Sequence, residues 1–206
     1  MSAAADEGFQ QGLPADLCLR GQFASLEPMS LEHEADLNAA AADGELYKLK
    51  VTRVPDLNEM PATIELALQE KQAGSKFPFV VRRLSDGRIV GSTSYYDIRP
   101  EHKNVAIGFT WYGKSAQRSA INTECKLLLL SHAFERLGCI AVAFHVDDTN
   151  TVSQAAVTRL GAKHDGVLRN HQLMPDGRIR HTYCYSITDA EWPAIKQRLM
   201  ARLARG

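Results

Sequence analysis

The chain has no apolar run approaching the roughly 20 residues that cross a bilayer. Its leucine run, Leu127 to Leu130, is far too short. The N-terminus carries neither a basic n-region nor an apolar h-region, so no signal peptide is read there. Net charge is also missing: 24 Lys plus Arg balance 24 Asp plus Glu, which removes any electrostatic drive toward nucleic acid or membrane. Cys18, Cys125, Cys139 and Cys184 are scattered without a CxxC pair. Reduced thiols in a cytoplasmic protein are expected. Histidines and cysteines lack ligand spacing, so no metal is implied. No internal repeat is found. At 206 residues and 45% hydrophobic, the chain can bury one full core. Residues 1–16, rich in Ala, Gly, Gln and acids, read as a mobile tail, and residues 17–206 as a single domain.

Taken in order, Gln22 to Met29 alternates as a first strand. Two helices follow, Leu31 to Ala42 after Ser30, and Asp56 to Lys71, where Pro61 fits only the first turn. Ser30 lacks the Glu or Gln that completes a capping box. Phe77 to Leu84 and Arg88 to Ile98 flank Ser85-Asp86-Gly87, a hairpin signal, and Lys103 to Tyr112 extends the meander. A helix running to Leu137 stops at Gly138. Ile140 to Val146 is continuous and apolar, as in a strand buried on both faces. A short helix to Leu160 is capped by Thr149 or Asn150. Strands Val167 to Met174 and Arg178 to Ile187 flank Pro175-Asp176-Gly177. Thr188-Asp189-Ala190-Glu191 then boxes a last helix. The order β–α–α–β–β–β–α–β–α–β–β–α implies one mixed α/β sheet.

The stretch Trp111 to Asn122 joins a strand to a helix start. The first backbone N–H groups of a helix lack internal partners and lie at the positive end of its dipole, which makes an anion cradle. Cys125, near that helix start, is read as a small inward-packed residue in preference to an activated thiol. Gly108 to Ser115 fits GxxxxGK[ST], a P-loop nucleotide site. Its variable positions, Phe109, Thr110, Trp111 and Tyr112, are however bulky and β-favouring, and they continue the alternation Val105, Ile107, Phe109, Trp111. Strand is the better reading, and P-loop nucleotide binding stays a remote alternative.

Gln117-Arg118-Ser119-Ala120-Ile121-Asn122 resembles the Q/R-x-x-G-x-G/A pyrophosphate loop of the GNAT acyltransferases, with Ala120 and Asn122 departing from the family's small residues. Asp148-Thr149-Asn150-Thr151-Val152-Ser153 followed by Leu160-Gly161-Ala162 is similar to a pattern of the Rim-type branch of that family, which acetylates protein N-termini and small amines. Gly166-Val167-Leu168-Arg169 matches its G-x-x-R. The element order is also that of the family. The resemblance implies a mostly antiparallel central sheet, splayed in the middle, flanked by helices, with an extra C-terminal helix here. Acetyl-CoA would lie between the strands Lys103–Tyr112 and Ile140–Val146. Backbone near Phe109, Thr110 and Trp111 would polarise the thioester carbonyl. Gln117, Arg118, Ser119, Ala120, Ile121 and Asn122 would hold pyrophosphate, with Lys114 and Arg118 neutralising charge. Asn150 would hold the cofactor arm or a water, and the Ser153 hydroxyl would serve the leaving thiolate.

The implied activity is direct acetyl transfer to a primary amine of a peptide or small molecule, with a homodimer as the assembly. A CoA-binding regulatory module without turnover is the alternative. The glutamate that many relatives carry on the strand before the cradle is absent, because Lys103 to Tyr112 has no acid. Asp97, His145, His171 or relayed water are left as candidate bases, and Tyr95 and Tyr96 as possible pocket walls. The acceptor is not legible.

Overall fold

The computed structural model describes residues 12–48 and 54–205. Its strands are β1 (Leu19–Arg20), β2 (Ala24–Pro28), β3 (Lys76–Arg83), β4 (Ile89–Arg99), β5 (Asn104–Tyr112), β6 (Ala141–Asp147), β7 (Lys163–Leu173) and β8 (Ile179–Thr188). Its α-helices are α1 (Glu34–Ala42), α2 (Met60–Gln72), α3 (Ala120–Glu135), α4 (Thr151–Leu160) and α5 (Trp192–Leu203). The strands form one eight-stranded sheet in the order β1-β2-β3-β4-β5-β6-β8-β7. Every neighbouring pair is antiparallel except β5–β6. The expected mixed, mostly antiparallel α/β sheet is therefore present.

The two faces carry separate cores. On one face Leu26, Phe79, Tyr95, Ile107, Val142, Phe144 and Ile187 pack with Cys125, Leu129 and Leu130 of α3 and with Trp192, Ile195 and Leu199 of α5. Phe134 and Trp192 stack at 5.4 Å, joining these two helices. On the other face Leu37 and Ala41 of α1 and Met60 and Ile64 of α2 close over Val80, Ile89 and Trp111.

One side chain ties α3 to the start of the sheet. Its Glu124 carboxylate is buried and accepts three backbone N–H bonds, from Gln22 at 2.7 Å, Phe23 at 2.7 Å and Ala24 at 2.8 Å. The turn entering β2 has no sheet partner for those donors, so the side chain supplies what a ladder would. Gly21 allows the approach, since a Cβ there would lie 2.3 Å from the Glu124 Cδ.

Several sequence expectations shift. The first helix begins as a 3-10 turn, Leu31–His33. His33 takes the part expected of Glu: its Nδ1 accepts from the Ser30 N–H at 3.1 Å, so the box is complete after all. α2 starts at Met60 and not Asp56, because Pro61 holds the first turn and residues before it form a turn. A short β1 precedes the expected first strand. β6 is not buried on both faces: Val142, Phe144 and Val146 are buried, while Ala141, Ala143, His145 and Asp147 face the other side half-buried. The small Ala141 and Ala143 imitated an apolar run. α5 starts at Trp192, yet the box survives in part, with the Thr188 N–H donating to Glu191 Oε2 at 3.0 Å. Residues 1–11 of the expected tail lie outside the described residues. Leu13 packs against the core, and Ala15 O accepts from Lys71 Nζ at 2.8 Å.

His132 of α3 carries an acid-sensitive element. Its ring lies 6.0 Å from that of Tyr95, whose hydroxyl donates to Leu129 O at 2.5 Å. Burial, with Arg136 adding, pulls its pKa down to about 4. An unfolded histidine titrates near about 6.5. Below about 6.5 the unfolded chain takes a proton that the folded one refuses, so stability present above that pH is lost as pH falls toward about 4. Allowing for the partial exposure of the ring, the loss is on the order of 2 kcal/mol. Urea unfolding of wild type and His132→Gln at neutral and acidic pH is expected to show a shallower acid loss in the variant.

Candidate active site

The sheet parts at its centre. β5 and β6 pair only at Asn104↔Ala141, Val105↔Val142 and Ala106↔Ala143. Beyond Ala106 the remaining length of β5 and, beyond Ala143, that of β6 have no mutual ladder. The cause lies on the other side of β5. Ser92 pairs with Trp111, but Ser94 pairs with Gly108, so Phe109 and Thr110 together oppose Thr93. This is a β-bulge. Phe109 takes a left-handed φ of 51° to make it. The bulge swings β5 away from β6, which stays bound to β8 as far as Asp147↔Thr182. Two strand edges with unpaired peptide groups then face one opening, suited to an extended chain bearing amides.

β5 leads into the turn expected to form the cradle. Lys114–Ala116 is a 3-10 turn, Arg118 has a left-handed φ of 58°, and Ser119 caps α3. The Ser119 hydroxyl accepts from the Ile121 N–H at 3.3 Å and donates to Ala116 O at 2.6 Å. The end of α1 braces this loop. Asp43 O accepts from the Lys114 N–H at 2.9 Å, and its carboxylate accepts from the Ser115 N–H at 2.8 Å; hydrogen bonding from Ser115 lowers the Asp43 pKa.

The expected site residues divide by position. Arg118 and Asn122 are exposed around the start of α3, with Ala120 half-buried and Ile121 buried beneath them. Gln117 is exposed, but its Nε2 donates to Tyr112 O at 2.9 Å and ties the loop back to β5. Lys114 is exposed, its stem lying against Gly44. The Trp111 side chain is buried in the core under α1 and α2 and does not line the opening. Phe109 is 56% exposed, with Lys76 Nζ 3.6 Å from its ring centroid. Thr110 Oγ1 lies 2.7 Å from Thr93 Oγ1 and accepts from Lys126 Nζ at 2.9 Å. Burial brings the Lys126 ammonium down to about 8. Asn150 caps α4, its Oδ1 accepting from the Ser153 N–H at 2.9 Å, and Ser153 is half-buried one turn on.

The P-loop geometry is not formed: Gly108 to Tyr112 is strand, and α3 begins at Ala120, not at Lys114. Cys125 is buried and its thiol is pushed up to about 12 by burial, opposite to an activated thiolate. Tyr95 points to the α3 face, fully buried, and is no wall of the opening. Tyr96 points the other way. Its hydroxyl lies 3.1 Å from His145 Nδ1, and its ring meets Phe109 edge-on at 5.1 Å.

Two features carry no sequence signal specific enough to find them. Lys126 interrupts an apolar helix stretch, the one visible hint of its inward position. The Arg178 guanidinium reaches Asp147 Oδ2 at 2.6 Å and Asp148 Oδ1 at 3.5 Å, clamping the β7–β8 hairpin to the loop before α4. Burial opposes ionisation of Asp147, but Arg178 and Thr149 hold its pKa well below the usual carboxylate range. Among the described residues no group of His, Cys, Asp and Glu is arranged to hold a metal.

The mixed sheet therefore has a parted parallel pair beside a helix N-terminus. A family model described as an acetyltransferase (GNAT) domain matches residues 25–163. The chain belongs to the GNAT acetyltransferase family. It is 34% identical to an acetyltransferase structure from T. thermophilus, with a TM-score of 0.79, covering 93% of this chain and 98% of that one. A GCN5-related N-acetyltransferase structure from Brucella melitensis is 27% identical with a TM-score of 0.82, covering 92% of this chain and 86% of that one. In sequence, 113 residues are 28% identical to YdaF of Bacillus subtilis, whose name assigns it to ribosomal N-acetylation. That likeness is to the Rim-type branch, and it spans 55% of this chain and 61% of that relative.

Proposed function

We propose that this chain moves an acetyl group directly from acetyl-CoA to a primary amine, on a protein N-terminus or a small amine. The observation that carries the reading is the opening between β5 and β6, beside the capped start of α3. The residues present fit the co-substrate: parted strand edges match a pantetheine arm with two amides, and the α3 N-terminus with Arg118 and Lys114 matches its phosphates. RimJ of Mycobacterium smegmatis, solved with CoA-disulfide, shares the fold at 21% identity and a TM-score of 0.71.

Bound there, acetyl-CoA supplies the electrophilic carbonyl. Backbone N–H groups near Phe109 to Trp111 would polarise that carbonyl, where charge develops. Asn150 fixes the start of α4 and so the place of Ser153, whose hydroxyl can protonate the leaving sulfur. We also propose a cytoplasmic homodimer, to be checked by light scattering.

Calorimetric titration tests the reading. Acetyl-CoA should bind with a Kd on the order of micromolar, and magnesium-ATP should not bind. Asn150→Ala should weaken acetyl-CoA by up to about fivefold, since losing the cap costs about 1 kcal/mol and loosens the first turn of α4. Ala120 and Asn122, standing where the family has smaller residues, favour the second reading, a CoA-binding module without turnover. Binding with no acetylation of any amine would select it.

A further inference from the structure

We infer that His145 is the general base of the transfer, held in place by Tyr96. The inference rests on the acetyltransferase reading and completes it. β5 offers no acid, so the proton of the attacking amine must leave through another element. His145 lies two residues beyond the last β5–β6 pair, Ala106↔Ala143, on the strand edge that borders the opening. In the parallel register Gly108 and Phe109 stand at the same level on β5. Tyr96 spans the two: its ring packs on Phe109, a Cβ on Gly108 would lie 2.6 Å from that ring, and its hydroxyl meets His145 Nδ1. The three residues converge from β4, β5 and β6 beside the bulge at Phe109 and Thr110.

The hydrogen bond at Nδ1 is compatible with a base at Nε2 in one of the two neutral tautomers. In the tautomer with its proton on Nδ1, that N–H donates to the Tyr96 oxygen and Nε2 keeps its lone pair. The amine nitrogen forms a C–N bond to the thioester carbon, and the C–S bond breaks with its electron pair on sulfur. One amine proton goes to His145 Nε2, and the sulfur takes a proton from Ser153 or solvent. Charged and titratable neighbours approach from three strands. Tyr96, Asp97 and Arg99 come from β4, His171 from β7, and Arg180 and Cys184 from β8. Burial holds the imidazole below its ordinary value; Asp97 opposes this, while His171, Arg180 and Arg99 reinforce it. A base must be neutral, so turnover rises with pH through this titration and is complete near neutrality. Burial raises the Tyr96 phenol to about 12, so it stays protonated and positions the ring without carrying the proton itself.

The test uses the full chain, acetyl-CoA and a mixture of short peptides differing only in their free N-terminal residue. Histidine NMR of the protein without ligands, assigned by the signal missing in His145→Gln, should give a midpoint below about 6.5. The acidic limb of the wild-type rate should share that midpoint. His145→Gln should bind acetyl-CoA as wild type does, lose turnover by about 100-fold and lose the limb. Tyr96→Phe should move the NMR midpoint and lower kcat more than it changes KM, a result that a purely structural tyrosine would not give. Retained turnover and an unchanged limb in His145→Gln would overturn the base. A wild type that binds acetyl-CoA but acetylates neither these peptides nor a panel of small primary amines would remove the transferase reading, and the base with it.

Discussion

Glu124→Ala is expected to lower the melting temperature by about 10 °C, from an energy loss of about 4 kcal/mol. The buried carboxylate accepts from three consecutive N–H groups at 2.7 to 2.8 Å; the bond from Ala24 is buried, and those from Gln22 and Phe23 are partly buried. Alanine leaves those donors without their side-chain acceptor. Each orphaned buried donor costs about 1–3 kcal/mol, and partial relaxation of the turn brings the sum to about 4 kcal/mol. A domain of this size shifts by about 2–4 °C per kcal/mol. Glu124→Gln keeps an acceptor oxygen but turns an NH2 group on the remaining N–H bonds, so an intermediate loss is expected. Gly21→Ala should be severe in wild type and much milder in the Glu124→Ala background, because its clash is with the Glu124 carboxylate. Thermal melts of the single and double variants form the cycle. Additive losses would show that the two residues act apart.

Arg118→Glu is expected to weaken acetyl-CoA binding by about 30-fold while leaving the free protein as stable as before. Arg118 stands one residue before the Ser119 cap of α3, exposed to solvent. A negative charge at a helix N-terminus favours the helix by about 0.3–1 kcal/mol. The same charge repels the pyrophosphate and removes a charge-assisted contact worth about 1.5–3 kcal/mol. The signs therefore separate: melting holds or rises, and affinity falls. Wild-type affinity should also decline with added salt more steeply than that of the variant. Equal affinity in both proteins, measured by calorimetry at low salt, would remove the cradle from the phosphate path.

The framework was legible in the sequence because its signals are local. Asp86-Gly87 and Asp176-Gly177 mark the hairpins with left-handed glycines, φ 74° and 81°. Gly138 and Gly161 stop helices in the same way, at φ 68° and 111°. What stayed hidden depends on distant partners. Nothing near Glu124 indicates that its carboxylate oxygens serve a turn 102 residues earlier in the chain. The Arg178–Asp147 clamp joins a hairpin tip to another loop, and neither end has a motif. Phe109 is a further kind of case. A β-favouring aromatic gives no warning of a left-handed φ, and only the pairing of β4 with β5 on both sides forces it. Of the candidate site, the strand-to-helix junction could be placed from sequence. The convergence of Tyr96 and His145 could not, because it depends on which faces of β4 and β6 meet.

The narrow seam between β5 and β6 has a mechanical consequence. Within the sheet, one leaf of five strands and another of three are joined edge to edge by three residue pairs, with α3 as the covalent strap from one leaf to the other. An extended amide-bearing molecule lying in the gap would act as a splint across them, completing the missing ladder. In that arrangement the co-substrate is a removable structural part, and the spacing between the leaves sets which acyl carriers the fold can grip.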